Sequence, residues 1–357
     1  MTRHAGPRAL AAALVLMAAC ASDDSPPSGP GGEPTRGFRM GFSAFPPRPV
    51  EADYLRALDR WIPRADAAIL HESPPWPALL AGTSATSAVR ALNLGLVEGY
   101  RSRGLDVVFT IDVTNGTDRT SENPALVALG RSITEPAVQQ VYRDYALAVA
   151  SVLRPSSLGL AAETNLIRAA APRPVYDAVV AMTNAAARDL DAAGFRSPLY
   201  VSVQVEVAWG RPAGGFVGID VDRRDFPFGT ALGLSSYPYL GGFAEPEQVP
   251  LDYFARLGTP GQPMLVVEGG WTSANVGGGA SSPEKQSRWI RRQFELATQA
   301  GARHVFQLLF TDLDLAAYGQ IPTPQLVPFA TLGLVTTELA SKPALAEWDA
   351  VFARRRN

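Results

Sequence analysis

The stretch Pro263-Met264-Leu265-Val266-Val267-Glu268-Gly269-Gly270-Trp271 runs four apolar residues straight into a carboxylate, two glycines and an indole. A continuous apolar run bounded by turn residues predicts a strand buried on both faces, as in a parallel sheet covered by helices. The glycines end that strand, leaving Glu268 at its C-terminal tip with Trp271 close behind. In a (β/α)8 barrel that tip is where chemistry sits.

Outward from this stretch the same rhythm repeats. Short apolar runs at 38–42, 67–70, 105–113, 158–161, 199–207, 231–234 and 304–310 predict seven more strands. Between them, residues 135–153, 175–193 and 283–300 carry apolar positions at spacings of three and four, the period of a helix packed on one face. Thr134-Glu135-Pro136 and Ser282-Pro283-Glu284 combine a capping hydroxyl, an early proline and an early acid, and Gly104, Gly194 and Gly301 stand where helices should stop. Strands alternating with helices mean a parallel sheet, and eight such units predict one (β/α)8 TIM barrel over residues 37–357.

Composition narrows the chemistry. The 357 residues carry a formal net charge of −2 with no basic stripe, which argues against nucleic acid as a partner. The only cysteine, Cys20, lies near the start, so the body has no thiol nucleophile, disulfide or thiolate metal site. Lys285 and Lys342 are the only lysines, which disfavours Schiff-base and pyridoxal chemistry, and three scattered histidines do not make a metal centre. Carboxylate, hydroxyl and amide chemistry is left, with no cofactor and no metal expected.

Residues 1–19 read as an export signal, with Arg3 and Arg8 ahead of an apolar run too short to span a membrane. Met17-Ala18-Ala19 before Cys20 resembles the bacterial lipobox. That resemblance implies cleavage before Cys20, lipidation of its thiol and anchoring in the cell envelope; the alternative is a plain secretory signal. Residues 20–36 are Ser, Asp, Pro and Gly with little to bury, a flexible tether.

Glu163, in Gly159-Leu160-Ala161-Ala162-Glu163-Thr164-Asn165, also ends a short apolar strand, the fourth by count. Two carboxylates facing one another across a barrel mouth are what glycosidic bond cleavage requires: one protonates the leaving oxygen, the other attacks the anomeric carbon or activates water. The competing reading makes both glutamates ordinary charged residues tied to an arginine.

Glu163 after strand 4 and Glu268 after strand 7 resemble the acid/base and nucleophile of clan A glycoside hydrolases. Gly233-Leu234-Ser235-Ser236-Tyr237-Pro238-Tyr239 and Glu268-Gly269-Gly270-Trp271 resemble the strand 6 and strand 7 segments of the arabinogalactan endo-β-1,4-galactanases, family 53 of that clan. The resemblance implies that Tyr237 hydrogen-bonds the nucleophile. Four positions depart from the pattern. Ala162 stands where the clan places an asparagine that contacts the sugar 2-hydroxyl, and His71-Glu72 ends strand 2 without an arginine. Asp112-Val113-Thr114-Asn115 lacks the galactanase His-Tyr pair, and no tryptophan closes strand 8.

Trp76, Trp209 and Trp271 follow strands 2, 5 and 7, where a flat indole suits stacking on a sugar ring; each could instead anchor a loop. Asn165, Gln204, Glu206 and Tyr239 are further candidates to bind substrate hydroxyls. Asp112, Asp312 and Asp314 are expected to cap helices, His71 to make a structural hydrogen bond, and His304 to lie at the opposite end of the barrel. Gly277-Gly278-Gly279 suggests an active-site loop rather than a phosphate loop, since no lysine accompanies it. The leading expectation is an exported, lipid-anchored, monomeric retaining glycoside hydrolase acting on a β-linked poly- or oligosaccharide. The alternative is a catalytically degenerate carbohydrate-binding lipoprotein on the same barrel, and a third reading is a structural envelope protein.

Overall fold

The computed structural model describes residues 34–277, 279–319 and 323–357, and the expected signal, Cys20 and most of the tether lie outside them. Eight parallel strands follow in chain order: β1 (Arg39–Ser43), β2 (Ala67–Glu72), β3 (Asp106–Ile111), β4 (Ser157–Ala161), β5 (Leu199–Gln204), β6 (Leu232–Ser236), β7 (Met264–Gly269) and β8 (Ala302–Gln307). β8 pairs back onto β1, from His304 opposite Arg39 to Gln307 opposite Phe42, so the sheet closes and no edge is left open. The fold is a single (β/α)8 barrel. Its compact unit starts at Pro34, and Arg36, at the end of the expected tether, is buried and paired to Asp66 at 2.5 Å.

Every expected strand is present. β8 is shifted toward the start of its expected range, at Ala302–Gln307 against 304–310, and β5 stops at Gln204 short of the expected 207, where Val205–Ala208 turns into a short helix. The Asn165 side chain accounts for the stop: it accepts the Gln204 N–H and donates to the Gln204 carbonyl, both at 2.8 Å, satisfying the backbone groups that would otherwise continue the ladder. The helices at Pro136–Ala148, Arg173–Ala192 and Pro283–Gln299 follow the expected periodicity. Ser282 caps the last of these by accepting the Lys285 N–H, whereas Thr134 caps nothing: Glu135 is the N-cap residue, and its carboxylate accepts the Ser132 N–H.

The barrel interior is filled by Ile69, Val108, Leu265, Val267 and Phe306 around the Tyr200 ring, whose hydroxyl meets Thr110 Oγ1 at 2.7 Å. Tyr200 fits because its neighbouring strands present glycines. A Cβ at Gly159 or Gly233 would come within 2.6 or 2.8 Å of that ring. A second, larger apolar layer lies between strands and helices, where Phe42 packs against Trp61, Phe310 and Trp348.

One irregularity positions the chemistry. In the β6–β7 pairing, Leu234 faces Val266 but Ser235 faces Glu268, so β7 carries one extra residue there. Strand residues alternate between faces, so with Val267 inside the barrel a regular strand would send Glu268 outward toward the helices. The bulge resets the alternation and turns Glu268 into the mouth beside Ser235.

Candidate active site

At the C-terminal mouth lies a cavity of about 370 Å³. Glu163, Glu268, Tyr237 and Gln204 line it, together with Asp112, Arg119 and His71. Leu308, Leu309, Leu313 and Phe329 close the β8 side. A mouth with one polar wall and one apolar wall suits a ligand that has hydrogen-bonding groups and a C–H face.

Glu163 sits immediately after β4 in the left-handed region, φ +50° and ψ +47°, before helix Thr164–Ala170. A residue with a Cβ gives up on the order of 1–2 kcal/mol to adopt that conformation. The Ser202 hydroxyl accepts the Glu163 N–H at 2.9 Å and helps hold it. The conformation aims the carboxylate into the mouth, a use of backbone strain that clusters at functional sites.

The two glutamates share one hydroxyl. Ser235 Oγ lies 2.6 Å from Glu163 Oε1 and 2.7 Å from Glu268 Oε1. Tyr237 donates its hydroxyl to the same Glu268 oxygen at 3.2 Å. On its far side Glu163 accepts from Arg119 Nε at 2.9 Å, while Arg119 Nη1 reaches both oxygens of Asp112 at 2.6 and 2.8 Å. His71 Nε2 lies 3.1 Å from the Val267 carbonyl, which only accepts, so Nε2 carries the proton and Nδ1 faces Glu268 Oε2 at 3.7 Å.

Burial lifts the Glu163 carboxyl above the usual range; Arg119 pulls it down, and the Glu268 charge lifts it again. Burial opposes the charge on Arg119, but Asp112, Glu163 and Glu268 together keep its guanidinium protonated. Burial and the two glutamates likewise keep the Tyr237 phenol protonated. Among the described residues no group of three or more His, Cys, Asp or Glu is arranged to hold a metal ion, and no helix is long and apolar enough to cross a membrane.

Of the expected site residues, the mouth gathers Glu163, Glu268, Tyr237 and Gln204. The tryptophans are placed elsewhere. Trp76 is 0% exposed and packs in the layer between strands and helices. Trp271, 1% exposed, donates to Ser281 and packs on Trp289 and Tyr239, so neither indole offers a face to a ligand. Trp209 lies outside the cavity lining, bonded to the Tyr253 carbonyl with Arg256 stacked on its ring. Asn165 is buried by its bonds to Gln204, and Tyr239 donates to the Pro328 carbonyl at 2.8 Å. Glu206 is buried beneath the mouth, accepting from the Ser236 hydroxyl, the Tyr237 N–H and the Tyr253 hydroxyl.

Asp112 and Asp312 pair with Arg119 and Lys342 instead of capping helices, and Asp314 pairs with Arg48 while accepting the Ala316 N–H. His304 lies in the first half of β8, toward the N-terminal end of the barrel, against Asp106 at 2.9 Å. Gly278 lies outside the described residues, and Val276 and Gly279 pair with each other away from the cavity lining.

Arg119 and Ser235 went unassigned by sequence reasoning. Ser235 stood inside the strand 6 segment with a β-strand position facing Glu268, a signal that register alone could reveal. Arg119 lies in an irregular polar loop, far in sequence from Glu163, with no local signal.

No family model matches the sequence, and no curated protein matches it. Solved structures do match in fold. An exo-β-1,4-mannosidase from Opitutaceae bacterium strain TAV5 superposes with a TM-score of 0.63 at 16% identity, over 89% of this chain and 59% of its own. The present chain therefore spans about three fifths of the length of that mannosidase. GH5_18 from Streptomyces cattleya, solved with GlcNAc, gives 0.60 at 18% identity, over 90% of this chain and 81% of its own. A GH5_18 variant from Bifidobacterium longum subsp. longum, solved with Manβ1-4GlcNAc, gives 0.62 at 15% identity, over 88% and 78%. The (β/α)8 barrel of this chain is thus the fold shared with that exo-β-1,4-mannosidase and with the two GH5_18 proteins.

Proposed function

We propose that the protein is a retaining glycoside hydrolase acting on a β-linked poly- or oligosaccharide. The observation that carries this reading is the pair of carboxylates, Glu163 and Glu268, meeting at one hydroxyl in the floor of the mouth cavity. Oxygens that share a hydroxyl at 2.6 and 2.7 Å are closer than the roughly 6.5–9.5 Å that leaves room for water in inverting enzymes. That supports the retaining geometry, in which the carboxyl groups lie about 5–5.5 Å apart.

Glu163 is the acid/base: buried and lifted in pKa, it holds the proton that the leaving oxygen needs. Glu268 is the nucleophile. It attacks the anomeric carbon while Glu163 protonates the departing oxygen, and a water activated by Glu163 then releases the sugar. Tyr237 orients Glu268. Gln204 and His71 line the cavity, placed to meet substrate hydroxyls, and the Leu308–Leu313–Phe329 wall takes a C–H face in place of an indole. The resemblance to galactanases makes β-1,4-galactan one substrate to try, and the structures of similar fold add mannosides and GlcNAc-containing disaccharides. Export and anchoring through lipidated Cys20 belong to the same proposal; fatty-acid incorporation that disappears in Cys20→Ser tests them.

Reducing-sugar release across a panel of β-linked glycans, with Glu163→Ala and Glu268→Gln alongside, tests the reading. Turnover lost in both folded variants is expected. A second reading, a sugar-binding barrel without activity, is favoured by the Arg119–Glu163 ion pair beside Ala162, which ties up an oxygen of the acid and removes the clan asparagine. It predicts sugar binding by calorimetry that survives Glu268→Gln, with no turnover of any glycan.

A further inference from the structure

The Ser235 hydroxyl has one proton and two carboxylate neighbours. It can donate to Glu163 or to Glu268 at any moment, not to both. If both carboxylates were ionised, one Oγ–oxygen contact would set two lone pairs together at hydrogen-bond distance, around a hydroxyl that is itself buried. The contact is favourable when one glutamate carries a proton. That glutamate then donates to Ser235 Oγ, and Ser235 donates to the other.

Every group around the bridge bears on which glutamate that is. From β7, Glu268 also accepts from Tyr237, at the tip of β6, and faces His71 from β2 at 3.7 Å. From the β3 side, Arg119 holds the far oxygen of Glu163 and is itself occupied by Asp112. Glu268 Oε1 therefore has two hydroxyl donors available, whereas Glu163 Oε1 faces Ser235 alone. The resting arrangement is Glu163 O–H donating to Ser235, and Ser235 with Tyr237 donating to a charged Glu268.

We propose that Ser235 is a reversible proton-sharing bridge, whose hydroxyl turns from Glu268 to Glu163 as negative charge moves between them during turnover. The inference rests on the retaining reading above. In the first half-reaction a bond forms between a Glu268 oxygen and the anomeric carbon, and the bond from that carbon to the leaving oxygen breaks. The Glu163 proton goes to that oxygen. Glu268 has become an ester and Glu163 a carboxylate, so the Ser235 proton now finds its charged acceptor at Glu163. In the second half-reaction Glu163 takes a proton from water, the hydroxyl bonds to the anomeric carbon, and the ester bond breaks. Charge returns to Glu268 and the Ser235 hydroxyl turns back. The bridge thus follows the charge through both steps with only a rotation of one hydroxyl, and it stabilises the form in which the pair holds one proton.

The test is a pH profile. A bridge that favours the singly protonated pair pushes its two apparent pKa values apart, so it widens the bell of kcat/KM. Ser235→Ala should narrow the bell from both sides, by roughly one pH unit or more in total, given the strength of hydrogen bonds to charged groups. KM should change little, and Ser235→Thr, which keeps the hydroxyl, should restore the width. A Ser235→Ala profile that is lower but equally wide would overturn the proposal, leaving Ser235 a packing residue. Infrared titration of the carboxyl stretch, assigned with Glu163→Gln and Glu268→Gln, separates this question from turnover. One proton shared over a wide pH range in the wild type and over a narrower one in Ser235→Ala supports the bridge even if no glycan is cleaved. Two carboxyls titrating alike in both proteins would sink it.

Discussion

At the N-terminal end of the barrel, Asp106 lies against His304 at 2.9 Å and Arg39 at 3.5 Å, and Asp66 against Arg36 at 2.5 Å. At the C-terminal mouth three carboxylates, Asp112, Glu163 and Glu268, draw on the single guanidinium of Arg119. One end matches each acid with its own basic partners; the other gathers acids in excess, with Glu163 buried and Asp112 and Glu268 partly so. A structure selected only for stability would not leave that excess, because a buried carboxylate without a full partner is costly. A cost in stability of this kind is tolerated where a site serves a function, and in (β/α)8 barrels functional sites lie at the C-terminal face.

The largest effect should come from the unbalanced end. Glu163→Ala and Glu268→Gln should each lower kcat by about a thousandfold or more, as loss of a nucleophile or its proton partner does. Glu268→Gln should leave the melting temperature unchanged or raise it, since it relieves the crowding of negative charge. Scanning calorimetry on that variant decides the point: a clear drop would mean that Glu268 is held for the fold.

Arg119 is where the two ends should look most alike. Arg119→Met takes the cation from Asp112 and a hydrogen bond from the buried Glu163, and should cost about 3–5 kcal/mol of stability by urea titration. Activity should fall as well. A variant of unchanged stability would show that the mouth tolerates its carboxylates by protonating them, and the comparison between the ends would lose its force.

How much of this was legible in the sequence follows from the range of the interactions. The eight strands were, because each is a short apolar run with turn residues at its ends, and Glu163 and Glu268 were placed by standing directly after two of them. Trp76 and Trp271 stayed open between sugar platform and loop anchor, because an indole after a strand looks the same whether it faces the mouth or the helix layer. Trp271 is committed by Trp289, Tyr239 and Ser281, none of which a local reading supplies. The β7 bulge that turns Glu268 inward is a matter of pairing register, and Arg119 reaches Glu163 from an irregular loop. Periodicity reads what lies along one element, whereas the site is assembled between elements.

A smaller effect should mark the balanced end. Burial lifts the Asp106 carboxyl, but the hydrogen bonds with His304 and Ser156 and the nearby Arg39 more than offset that and hold it below its ordinary range. A depressed folded pKa contributes stability that is present above the unfolded value, near 3.9, and lost as pH falls through the folded one. Asp106→Asn should therefore cost about 1 kcal/mol at pH 7 and progressively less below pH 4, with kcat unchanged. An effect on kcat would mean that the far end of the barrel is coupled to the mouth.

The least effect is expected at Glu206, a buried acid that joins neither group. It accepts the Tyr237 N–H and the Ser236 and Tyr253 hydroxyls through one oxygen, while the other is buried without a partner. Burial pushes its carboxyl up to about 7, against those three hydrogen bonds. A raised folded pKa gives stability that is complete below the unfolded value, near 4.3, and lost as pH rises through about 7. The wild type should thus lose melting temperature between those limits, and Glu206→Gln, which cannot ionise, should lack that part of the slope. Activity should change only a few fold, since Glu206 reaches Glu268 only through the Tyr237 segment. Parallel melting curves for the two proteins across that window would mean that Glu206 stays charged under the mouth, and the excess of negative charge there would be one larger than the cavity lining alone displays.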